Sequence, residues 1–335
     1  TIGVRALFQS KSGDIWVGTR WQSVYRMDRN GVTKHVFSTG DEHIGNVYHI
    51  MEDDKGNLWF STKGDGLVKA VPDEKAAGGF RFKRYLHNLS DLSSISGNDV
   101  YFTYQDEKKR IWVGTLDGGL NLLCEENGEV TFKNKYNGFK NYPTYGLYME
   151  VRNMIEDNDG RMWVGTMDGL MSFKNNFASV EQIDFETYRG ANRVNYADSD
   201  VYALYKDEFS QIWVCVFGGG LSKLSGYDEE TLSFKSYGWE DGLNNDVVMS
   251  IIEDDNGFLW LATEKGLSCF DRATSQVRNY DKYDGFPPVV MEENTALKTL
   301  DGELWLGCKE GILTFSPDKL ERNWKRKDLI ITHLL

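Results

Sequence analysis

The chain has 335 residues, 40% hydrophobic and 13% aromatic, enough for a sizeable core in one large all-β domain. Its formal net charge of −13 repels phosphate backbones and anionic lipid faces and argues against nucleic acid or a membrane surface as partner. The four cysteines (Cys124, Cys215, Cys269 and Cys308) have neither zinc-type nor disulfide-framework spacing, and no apolar stretch is long enough to span a bilayer. A chain that opens on Thr1 and carries no visible signal peptide reads as an excised fragment or a mature product.

In chain order, the first predicted unit runs from Val4 through Phe8, turns at Gly13 and continues in a strand bearing Trp16. It is followed by Thr19-Arg-Trp-Gln-Ser-Val24, where later units have a Gly-Leu turn. The second unit repeats the pattern with Val47, Met51, Asp53, Gly56, Trp59 and Leu67, and adds a fourth strand at Phe80-Arg-Phe-Lys-Arg-Tyr85. The third has Val100, Tyr104, Asp106, Trp112 and Leu120, and the fourth Val151, Ile155, Asp157, Gly160, Trp163 and Leu170. The fifth has Val201, Tyr205, Asp207 and Trp213, with Cys215 where glycine is usual. The sixth has Val248, Ile252, Asp254, Gly257, Trp260 and Leu267. The seventh, around Trp305, breaks the rule: Glu293 stands in place of the valine, no Asp precedes the tryptophan by six, and Cys308 replaces threonine.

Within each unit the apolar period is two, which dictates strands and excludes helical repeats. Asp-x-x-Gly makes a tight turn, because Asp caps its own backbone and Gly accepts positive φ. Four short antiparallel strands per unit, seven times over, define an all-β fold: a seven-bladed β-propeller of four-stranded antiparallel blades. We assign residues 1–316 to it. Residues 317–335, with the strand-like run Leu329–Leu335, are a linker and first strand of a following immunoglobulin-like sandwich, or the closing strand of the propeller.

The unit Val-x-x-Ile-x-Glu-Asp-x-x-Gly-x-Leu-Trp-x-Gly-Thr-x-x-Gly-Gly-Leu resembles the regulator-propeller repeat of bacterial hybrid two-component sensors, most clearly over Val151–Leu170, Val47–Leu67 and Val248–Leu267. The resemblance implies a periplasmic sensor region of an inner-membrane histidine kinase. Its partners would be a neighbouring propeller and a juxtamembrane sandwich, with association into a homodimer through the parent chain. It also implies a glycan-derived oligosaccharide ligand; from the residues themselves no cofactor and no metal is expected.

The repeated Asp residues and tryptophans read as turn and core devices, since identical active sites around one ring make no sense. Ligand residues are sought where the units differ, in the connections from the fourth strand of one blade to the first of the next. Sugar recognition asks for aromatic faces and for fixed groups that hydrogen-bond hydroxyls. The candidates are Arg20, Trp21, Tyr145, Tyr148, Arg152, Arg193, Tyr196 and Trp239, with Asn98, Tyr101, Tyr202, Phe217, Asn244 and Asn245 as a wider set. Tyr145, Tyr148 and Arg152 form the densest group. A protein-interaction scaffold without small ligand is the second reading. A propeller glycoside hydrolase or lyase is the third; Asp200, Glu292 and Glu293 could meet at its channel, though nothing in the sequence selects them.

Overall fold

The computed structural model describes residues 3–21, 23–38, 44–188, 200–227 and 232–320. Seven antiparallel sheets follow one another along the chain, each with its strands a to d paired in sequence order. Six have four strands and the seventh has three among the described residues, ending at strand c, Gly311–Phe315. The a strands are Val4–Gln9, Asn46–Glu52, Val100–Gln105, Val151–Glu156, Val201–Lys206, Val248–Glu253 and Met291–Lys298. The run Leu329–Leu335, expected as the first strand of a following sandwich or as the closing strand of the propeller, lies outside the described residues.

The core consists of seven clusters, one between each pair of neighbouring blades. Trp16 packs with Ile50, Leu58 and Phe60 of the next blade, Trp59 with Val100, Ile111 and Val113, and Trp112 with Met154, Met162 and Phe173. Trp163, Trp213 and Trp260 repeat the arrangement. Trp305 of the last blade packs with Val4, Ile15 and Val17 of the first, so burial of apolar surface closes the ring. The expectation of a propeller whose tryptophans fill the spaces between blades is met.

The glycine two residues after the tryptophan has a steric cause. A Cβ on Gly114 would sit 2.9 Å from Val151 Cγ1, and one on Gly165 would sit 2.8 Å from Val201 Cγ1. The valine that opens each blade therefore needs a small residue opposite it in the preceding blade. Cys215 fills this place in blade 5 as a small apolar side chain, in one cluster with Val248.

The repeated Asp does more than turn the chain. Asp53 Oδ1 accepts the backbone N–H of Lys55 at 3.0 Å and of Asn57 at 2.8 Å, while its Oδ2 accepts Trp59 Nε1–H at 2.8 Å. One carboxylate thus holds both the a–b turn and the indole. Asp106, Asp157, Asp207 and Asp254 bind Trp112, Trp163, Trp213 and Trp260 in the same way.

Candidate site on the propeller axis

In six blades the pairing of strands a and b slips by one residue just after the opening position. The slips lie at Val4/Ala6, Val47/His49, Gly114/Thr115, Val151/Asn153, Val201/Ala203 and Val248/Ser250. A β-bulge re-aims the side chain it leaves unpaired. The bulged residues are Arg5, Tyr48, Tyr101, Arg152, Tyr202 and Met249. In blade 7 the slip is larger: Met291 pairs with Cys308 and Ala296 with Leu306, so Glu292–Thr295 face a single residue. Asn294 takes φ +49° to make the excursion. Two extra residues are inserted, and the counterpart of the opening valine is Met291, not Glu293.

The consequence is a charged, tyrosine-paved cluster built from six blades. Arg152 Nη1 donates to Glu293 Oε2 at 2.6 Å and to Tyr101 Oη at 3.2 Å, and Tyr101 donates in turn to Glu293 Oε2 at 2.9 Å. The other edge of Arg152 grips Asp200 through two contacts of 2.5 Å. Beside this, Arg20 donates to both oxygens of Glu292 at 2.9 and 2.8 Å, and Arg5 Nε lies 3.4 Å from the same carboxylate. Tyrosine rings pave the cluster. Tyr48 and Tyr101 stack with centroids 4.6 Å apart, Arg5 lies over Tyr48, and Arg152 lies over Tyr101 and Tyr202. Phe217 meets Tyr202 edge-on at 5.7 Å.

Arg5, Arg20 and Arg152 match Asp200, Glu292 and Glu293 in number, so the cluster carries no formal charge in a strongly acidic molecule. Burial pushes the Asp200 carboxyl up to about 6; Arg152 pulls it down and Glu293 adds to the rise. Glu292 is only 4% exposed and is neutralised from two sides, which offsets the cost of burying it.

The structure divides the expected ligand residues into groups. Arg20 and Arg152 belong to the axial cluster, together with Tyr101 and Tyr202 of the wider set. Trp21, beside Arg20, is 72% exposed. Tyr145 is also exposed but lies farther out, its hydroxyl 2.8 Å from Thr187 Oγ1 on an outer strand. Trp239 is exposed in the short turn after the outer strand of blade 5. Tyr148 corrects its expected role: its ring is fully buried in the cluster around Trp112, Phe139 and Phe185, so it presents no surface to a ligand. Proximity in sequence misled here, because Tyr148 packs inward while Arg152, four residues on, sits in the bulge. Arg193 and Tyr196 lie outside the described residues. Glu292, Glu293 and Asp200 are the acidic residues that the sequence could name but not select. Among the described residues, no group of three or more His, Cys, Asp or Glu side chains could hold a metal ion.

Four stretches, residues 43–64, 94–117, 146–168 and 242–265, match the two-component regulator propeller repeat. They cover blades 2, 3, 4 and 6 from the incoming connection to strand b. The chain is a seven-bladed propeller, and four of its blades carry this repeat. Histidine kinase P4 of Formosa agariphila is 22% identical over 343 residues, a match that covers 98% of this chain and 23% of that protein. The extracellular domain of a putative hybrid two-component system from B. thetaiotaomicron superimposes with a TM-score of 0.77 at 21% identity, covering 95% of this chain and 39% of that one. Streptogramin B lyase has the same fold, with a TM-score of 0.68 at 14% identity, covering 93% and 92%. At these identities the structures share fold, and chemistry has to be argued from side chains.

Proposed function

We propose that this propeller is an extracytoplasmic sensor module of a two-component signalling protein, in the periplasm of its host. It would bind a neutral, hydroxyl-rich ligand of the kind released from glycans and pass the event to a kinase in the parent chain. The observation that carries the reading is the axial cluster. Its guanidinium and carboxylate groups are held in fixed positions by one another, and its faces are tyrosine rings. Such an array offers both donors and acceptors to hydroxyls and flat surfaces to C–H groups. Its formal neutrality favours an uncharged ligand over an anionic one. The exposed Trp21 and Phe217 supply further apolar surface near its mouth.

The six participating blades supply the link to signalling. A ligand that draws Arg152 from Glu293 or Asp200 would shift blades 3, 4, 5 and 7 relative to one another. That biases the packing of the propeller against its partners, a neighbouring propeller and a juxtamembrane sandwich, by population shift. Titration calorimetry with a panel of neutral glycan oligosaccharides tests this. We expect saturable binding by at least one member, weakened about tenfold or more in Arg152→Ala. Turnover of a glycan, or binding that is indifferent to Arg152, would remove the reading.

A further inference from the structure

Two positions of a blade border the axial cluster. The first is the residue just before the opening of strand a, and a hydrogen bond marks its equivalents from blade to blade. Its carbonyl accepts the N–H of the residue that follows strand b, at 2.8 to 3.2 Å, in Asp99, Glu150, Asp200, Val247 and Val290 of blades 3 to 7. The position is thus acidic in blades 3, 4 and 5 and apolar in blades 6 and 7. The second position is the bulged residue of strand a. It is an arginine or a tyrosine in blades 1 to 5 and a methionine, Met249, in blade 6. Polarity therefore changes at blade 6 at both positions.

Met249 is held in place by its surroundings. It is partly buried, and like Val289 it packs against the apolar cluster between blades 6 and 7. The next residue, Ser250, donates from Oγ to Glu292 O at 3.0 Å and accepts the Thr295 N–H at 2.8 Å. The excursion that carries Glu292 and Glu293 is therefore pinned directly beside Met249. On the other side stands blade 5 with the edge-on pair of Tyr202 and Phe217. Phe217 is 51% exposed and Val290 44%, so apolar surface reaches solvent on both flanks of blade 6.

The axial site thus has one apolar sector in a wall otherwise made of ion pairs and phenols. A hydroxyl pressed against that sector gives up water and finds no partner there, whereas a methyl group gains contact with an adaptable, polarisable thioether. Resting on the sensor reading above, we propose that Met249 makes the site selective for sugars that carry a methyl group. Two kinds of sugar supply one. A 6-deoxyhexose has a methyl in place of the exocyclic hydroxymethyl, and an N-acetylhexosamine has the methyl of its acetamido group. Both are uncharged, in keeping with the balanced charges of the cluster.

The test uses two pairs of sugars that differ at this methyl: L-fucose against L-galactose, and N-acetylglucosamine against N-formylglucosamine. They are titrated by NMR into protein labelled with ¹³C in its methionine methyl groups. The cross-peak missing from Met249→Leu identifies Met249. It should move with the methyl-bearing member of one pair, which should bind about tenfold more tightly than its counterpart. The pair that responds identifies the source of the methyl. Met249→Leu keeps an apolar surface and should keep the preference, whereas Met249→Gln should reduce it to under about twofold. If Met249→Gln does not fold, the cross-peak and the affinity ratio of the parent protein decide. Equal affinities within both pairs, a preference that survives Met249→Gln, or a Met249 cross-peak that stays fixed would overturn the inference and leave the sensor reading standing. So would silence of both pairs in a protein that binds other members of the oligosaccharide panel. Silence of the whole panel would remove the sensor reading, and this inference with it.

Discussion

At the scale of single residues, each Asp–Trp pair ties a turn to the core through one buried carboxylate. Asp157 is buried, and its two oxygens hold two backbone N–H groups and the Trp163 indole. Asp157→Ala leaves all three donors without this acceptor, and we expect a loss of about 3 kcal/mol in chemical denaturation. A loss below about 1 kcal/mol would mean that water replaces the carboxylate at little cost. His49 makes a second case. Its Nδ1 accepts the Thr103 backbone N–H at 3.3 Å, which only the unprotonated ring can do, and burial lowers its pKa to about 4. The unfolded chain takes up the proton first. The stabilisation is therefore complete above pH 6.5 and is lost as pH falls towards 4, up to about 3 kcal/mol. His49→Asn keeps an acceptor and removes the titration. The stability difference between parent and variant should thus change across pH 7 to 4.5, and a constant difference would contradict the assignment. The tryptophans and aspartates were legible in the sequence because repetition exposed them. The Asp–Trp hydrogen bond was not, since a turn residue and a core residue six apart give no separate signal of contact.

At the scale of elements, the decisive feature is the bulge in strand a. Repetition places an arginine or tyrosine just after the opening valine in Arg5, Tyr48, Tyr101, Arg152 and Tyr202. That column is polar or amphipathic where its neighbours are core, a signal present in the sequence. Blade 7 hid its contribution. Counting back from Trp305 assigns Glu293 to the valine position, whereas the insertion moves that position to Met291 and frees Glu292 and Glu293 for the axis. A count at fixed spacing cannot see an insertion inside a strand; pairing with strand b can. The inserted loop also ties blade 7 to blade 1, because Thr295 Oγ1 donates to Arg5 O at 2.9 Å and Glu292 binds Arg5 and Arg20. Glu292→Gln keeps the shape and removes the charge between two arginines, and we expect it to cost about 3 kcal/mol. Glu310→Gln, on an exposed turn of the same blade, should cost under about 0.5 kcal/mol. Equal effects in denaturant titrations would deny the clasp.

At the scale of the whole molecule, the ring has one weak seam, and three independent deficits meet there. Among the described residues, the cluster between blades 7 and 1 has four buried members (Val4, Ile15, Val17 and Trp305), against fifteen between blades 3 and 4. Neither blade 1 nor blade 7 has the Asp that holds the tryptophan in the other five. Strand c of blade 7, Gly311–Phe315, has no fourth strand beside it among the described residues. Less buried apolar surface and fewer paired amides mean a lower free energy of local opening. What opposes opening is the Glu292 clasp and the Gly3 N–H bond to Lys309 O at 3.0 Å. Native-state hydrogen exchange should therefore show the amides of Met291–Phe315 and Val4–Thr19 exchanging before those of blades 3 and 4. Within blade 7, Ile312–Phe315 should be the fastest stretch, and equally fast in a chain ending at Leu320. Protection equal to that of Gly119–Glu126, lost on that truncation, would contradict the open edge and assign the closing strand to residues 321–335. Glu292→Gln should raise exchange at the seam while leaving blade 4 unchanged. A uniform rise around the ring would mean that the propeller opens as one unit and that the seam is no weaker than its other joints.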